Sequence, residues 1–108
     1  AFAQQTSTAD GVFTQGQVNQ GETAYNASCA ACHDMKFYRD IWSYWEQRPL
    51  EGFWFRIVSE MPSDNPGSLL DSEYTNILAY ILSELGYPAG TTELGPDNDM
   101  SDIIISKR

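Results

Sequence analysis

The pentapeptide Cys29-Ala30-Ala31-Cys32-His33 holds both cysteines and the only histidine of this 108-residue chain. The three best metal ligands of the sequence therefore lie within five positions, and none is placed elsewhere. On a helical turn, side chains three apart share a face. The two sulfurs then reach the same side of whatever they hold, and the adjacent imidazole points that way too. A structural zinc site needs four ligands, and no second cluster completes these three. A redox dithiol has no need of the histidine and follows a strand in a βαβ unit, for which the sequence has no pattern. A disulfide across two residues leaves His33 without a role.

Covalent haem attachment accounts for all three residues, because C-x-x-C-H is its signature. Each thiol adds to a vinyl group of the macrocycle to form a thioether, and the histidine meets the iron from the same side. Ala30 and Ala31 are small enough to let the porphyrin approach the backbone. One haem c is therefore expected, attached through Cys29 and Cys32, with His33 as an iron ligand.

Helical spacing dominates the rest of the chain. A first helix is expected from about Gly16 to Ala31, with Val18, Gly21, Tyr25, Ser28, Cys29 and Cys32 on one narrow face. Gly21 inside a helix costs about 1 kcal/mol relative to alanine, which close approach by another helix would repay. Residues 37–48 form an aromatic-rich second helix carrying Ile41, Trp42 and Trp45, stopped by Pro49. A third runs from Leu50 to Glu60 and buries Leu50, Phe53, Trp54 and Ile57. "MPSDNPGS", residues 61–68, is a loop with turns. The clearest helix follows, with Tyr74, Ile77, Leu78, Ile81, Leu82 and Leu85 in register, Asp71 or Ser72 to cap its start, and Gly86 with Pro88 to end it. No strand is expected. Residues 1–15 read as a flexible lead-in with little core signal, 16–92 as the haem domain, and 93–108 as a polar tail in which Ile103-Ile104-Ile105 can dock.

With one histidine, the iron's other face falls to methionine, a soft thioether that raises the potential. Met35 is on the proximal side, and Met100 sits in the polar tail, poorly held. Met61 opens the loop that Pro62 and Pro66 stiffen, and it is the expected sixth ligand. Arg48, Arg56 and the indoles of Trp42, Trp45 and Trp54 are candidate donors to the haem propionates.

From "GVFTQGQVNQGETAYNASCAACH" to "LAYILSELGYPAGTTEL", the chain resembles class I c-type cytochromes. The likeness is to the small cytochrome subunits or domains that accompany quinone-dependent dehydrogenases. The resemblance implies an all-α fold whose N- and C-terminal helices cross, with Gly21 and Tyr25 at the crossing against Ala79 and Tyr80. It also places "MPSDNPGSL" as the distal-ligand loop, with Met61 on the iron. Two departures stand out. Asp34 replaces the glycine usual after the haem histidine, and His33 and Met61 are only 28 positions apart. The proline-containing loop that would orient His33 is absent from that interval.

The function expected is transfer of single electrons between redox partners, with a periplasmic dehydrogenase as the donor. Such a carrier is not an enzyme on its own. The alternative is small-ligand binding or sensing at the iron, if Met61 is labile. A net charge of −9, with 15 acidic and 6 basic residues, excludes nucleic acid, which requires clustered cations. It favours partners with neutral or basic docking surfaces. No apolar run approaches the ~20 residues that span a bilayer. Ala1-Phe2-Ala3 has the small-x-small form of an export-signal cleavage site, so a periplasmic or otherwise exported location is expected.

Overall fold

The computed structural model describes residues 6–28, 35–61, 65–95 and 100–107. Among them are four helices: α1 (Gln15–Ser28), α2 (Met35–Trp45), α3 (Leu50–Glu60) and α4 (Asp71–Glu84). The all-α expectation holds, with one small exception at the chain ends.

Each helix has a local cause. At the start of α1, Thr14 Oγ1 accepts from the Gln17 backbone N–H at 3.2 Å, and Gln17 Oε1 accepts from the Thr14 N–H at 3.1 Å. This is a reciprocal capping box. Helix α3 starts directly after Pro49, whose fixed φ suits that position. At the start of α4, Leu70 occupies the N-cap rather than the expected Asp71 or Ser72. There Glu73 Oε1 accepts from the Leu70 N–H at 3.1 Å, and Asp71 and Glu73 complement the helix dipole. Gly86 ends α4 as anticipated, with φ +100. The N–H groups of Gly86 and Tyr87 bond the carbonyls of Ser83 and Leu82 at 3.0 and 3.1 Å, the pairing of a Schellman motif.

The main packing is between α1 and α4. At Gly21 an added Cβ would fall onto the backbone carbonyl of Asn76 and lie 3.0 Å from Tyr80 Cβ. Only glycine permits that approach. Four residues along, the Tyr25 and Tyr80 rings are in tilted contact, centroids 5.3 Å apart, and Ala79 is fully buried.

Helix α2 stops at Trp45, three residues short of the expected end. Gln47 takes a left-handed φ of +70, and its N–H donates to the Ile105 carbonyl at 2.6 Å. The Ile105 N–H returns a bond to the Arg48 carbonyl at 2.9 Å. Two short strands were not anticipated: β1 (Thr6–Ser7) pairs in parallel with β2 (Ile103–Ile104), Thr6 opposite Ile103. On the other edge of β2, Ile104 bridges antiparallel to Pro49. The C-terminal segment thus lies between the N-terminal segment and the α2–α3 turn.

Part of the lead-in is core, where little core signal was expected, and the expected docking of Ile103-Ile104-Ile105 is seen in the burial of Ile103 and Ile105. Thr8, Val12 and Phe13 are buried from one end, and Leu94, Met100, Ile103 and Ile105 from the other. Polar groups there are paired, as burial demands. Thr8 Oγ1 accepts from the Ser106 N–H at 2.9 Å. Tyr87 OH donates to the Ser106 carbonyl and accepts from Trp42 Nε1 at 2.8 Å. The Gln17 side-chain amide bonds both backbone groups of Leu94, donating at 2.6 Å and accepting at 2.9 Å.

Candidate functional site

Cys29, Cys32 and His33, with Asp34, lie between α1 and α2 and outside the described residues. Tyr25 near the end of α1 and Tyr38 in the first turn of α2 bring their rings to 6.3 Å.

From that first turn a cleft of about 520 Å³ opens between α2 and α3, within the usual range for small-molecule and cofactor sites. Helix α2 contributes Phe37, Tyr38, Ile41, Tyr44 and Trp45 to its wall, and α3 contributes Phe53, Ile57 and Met61. The helical repeat explains the assembly: on α3, Phe53 and Ile57 lie four residues apart on one face, and Met61 follows at the residue that ends the helix. The aromatic rings interlock around Phe53, which meets Trp45 at 5.2 Å, Trp42 at 4.9 Å and Tyr38 at 6.3 Å. Polar groups line the rim. Arg56 pairs with Glu60 at 3.0 Å in an exposed i,i+4 bridge.

Met61 is held by its backbone. It ends α3 in an extended conformation, φ −125 and ψ 145, with its N–H bonded to the Ile57 carbonyl at 2.9 Å. Its carbonyl accepts from the Tyr74 hydroxyl at 2.7 Å. The other two methionines are placed differently. Met35 packs partly buried against the core. Met100 is not poorly held, as its polar surroundings in sequence suggested, but 2 % exposed in the core. Neither is among the residues lining the cleft.

The candidate propionate donors also separate. Trp42 Nε1 is committed to Tyr87. Arg48 turns back to the Tyr44 carbonyl at 2.6 Å and stacks over the Tyr44 ring, 4.3 Å from its centroid. Trp54 is 9 % exposed and its Nε1 has no hydrogen-bond partner among the described residues, but it does not line the cleft, whereas Arg56 does. The cleft and donor set fit a haem: an apolar aromatic lining, a thioether at the wall, and a C-x-x-C-H motif between the helix that leads in and the helix that forms the wall. Sequence reasoning missed Tyr74 as part of this site. Its position in the α4 repeat marks it as core, and nothing local signals the partner of its hydroxyl.

An α-helical fold whose terminal helices cross at a glycine, with that motif and a methionine-walled cleft, defines a c-type cytochrome. The chain belongs to the family described as cytochrome c oxidase, cbb3-type, subunit III, whose profile matches residues 16–81. No curated protein and no solved structure matches it significantly. It is a haem-containing electron carrier rather than a catalytic enzyme, and its partners are redox proteins. Among the described residues, no helix is long and apolar enough to cross a membrane.

Proposed function

We propose that the chain is a monohaem carrier of single electrons. In this reading one haem c is attached through Cys29 and Cys32, with its iron between His33 and Met61. The observation that carries it is the position of Met61 at the wall of the aromatic cleft, both its backbone polar groups already bonded. Bound haem supplies a one-electron ferric/ferrous couple. The chain's own residues do the rest. Phe37, Tyr38, Ile41, Trp45 and Phe53 exclude water, and their low polarity disfavours the more highly charged ferric state. Arg56, at the rim of the cleft, offers its guanidinium to a propionate. The acidic balance, −9 overall, supports partners with neutral or basic docking surfaces. A dehydrogenase as donor rests on the resemblance of the motif and loop.

Absorption spectra of the oxidised and reduced protein test this. Expected are a c-type haem and, in the ferric form, the weak long-wavelength band of methionine sulfur on iron. Met61→Ala should remove that band, lower the potential and admit cyanide. A spectrum unchanged in the variant would move the ligand elsewhere, and rapid cyanide or carbon monoxide binding by the unmodified protein would favour ligand sensing.

A further inference from the structure

We propose that Tyr74 is a positioning residue for the sulfur of Met61, acting through the backbone of the ligand loop; the inference rests on Met61 being the sixth ligand. Tyr74 stands in the first turn of α4, the helix packed most extensively against α1, and is 1 % exposed. Its hydroxyl donates to the Met61 carbonyl at 2.7 Å and accepts a long bond from the Leu69 N–H at 3.4 Å. One buried oxygen therefore ties both ends of the segment 61–69 to the rigid crossing of α1 and α4.

The arrangement constrains Met61 fully at the main chain. Its N–H is fixed by the last turn of α3, and its carbonyl by α4. The peptide planes on both sides are held, and only the side-chain torsions are left to aim the sulfur. Pro62 and Pro66 restrict φ within the loop, but a proline has no N–H with which to anchor it. Tyr74 supplies that attachment. Without its hydroxyl the Met61 carbonyl loses this donor, and the loop can leave the iron more readily. A hydrogen bond of ordinary strength corresponds to about five- to tenfold in such an opening equilibrium.

The test uses the full haem-loaded chain. Tyr74→Phe, which removes one atom and keeps the ring, should retain its helical circular dichroism, weaken the ferric long-wavelength band and bind cyanide about five- to tenfold faster. Tyr87→Phe removes the hydroxyl of another buried tyrosine, one not bonded to Met61, and should leave the cyanide rate within about twofold. Tyr74→4-aminophenylalanine, which restores a donor, should return the rate towards that of the unmodified protein. The proposal is overturned if Tyr74→Phe keeps the original band and cyanide rate while Met61→Ala loses the band. It is equally overturned if Tyr87→Phe accelerates cyanide as much, or if the amino variant behaves as the phenylalanine one. A band that survives Met61→Ala instead overturns the ligand assignment itself.

Discussion

Gly21 of α1 lies directly against the backbone carbonyl of Asn76 in α4, with no space for a methyl group between them. The neighbour is main chain within a helix, so it cannot rotate away as a flexible side chain would. Gly21→Ala should therefore push the two helices apart. Overpacking typically costs 1–3 kcal/mol, and the better helix propensity of alanine returns about 1 kcal/mol. A net loss of up to roughly 2 kcal/mol in chemical denaturation is expected, with α1 and α4 retaining their helical signal.

The hydroxyl of Tyr87 joins α2 to the C-terminal segment, accepting from Trp42 Nε1 at 2.8 Å and donating to the Ser106 carbonyl. Tyr87→Phe strands a buried indole N–H and should cost about 2 kcal/mol. Replacing Trp42 by phenylalanine as well should cost less than the sum of the two single losses, because the stranded donor disappears with it. Urea unfolding of the four proteins in this cycle measures the coupling.

Leu70 caps α4 with a side chain that cannot accept a hydrogen bond, and it is 68 % exposed. Glu73 already bonds the Leu70 N–H, so half of a capping box is in place. Leu70→Ser would complete it and should stabilise the protein by about 1 kcal/mol, seen as a raised Tm. An unchanged or lowered Tm would show that the leucine side chain has a packing role.

Tyr80 is held above the ordinary tyrosine value of 10.0 by burial first, and then by the carboxylates of Glu84 and Glu22. Its raised pKa means that the folded state retains the phenol proton where the unfolded chain loses it. The associated stability is complete below pH about 10 and is lost as pH rises through the folded value. Ultraviolet titration of Tyr80 should show the late ionisation, and Glu84→Gln should bring it part of the way back.

Ile105 is fully buried, and it bonds the α2–α3 turn through both backbone groups. Ile105→Ala should cost about 2–5 kcal/mol, far more than a substitution in a loose terminal tail. A loss below 1 kcal/mol would mean that the segment contributes little to the core.

Much of this protein was legible in its sequence because the signals are local. The Leu50–Glu60 helix follows from Pro49 and the spacing of Leu50, Phe53, Trp54 and Ile57; the end of α4 follows from Gly86. The haem motif is a contiguous pentapeptide, and Gly21 announced a close helix contact before its partner was known. Other features join residues far apart and leave no periodic trace. Thr8 meets Ser106 across 98 positions, and Gln17 meets Leu94 across 77. A single side chain bonding a distant main-chain group fits many sequences equally well, so only the packed fold selects the pair. The same reason hid Tyr74: its spacing marks it as core, but which carbonyl its hydroxyl reaches was decided by how α4 lies against the end of α3. Spacing along the chain thus determined the helices and the chemistry they carry, while the docking of the chain ends and the hold on Met61 were decided by tertiary packing.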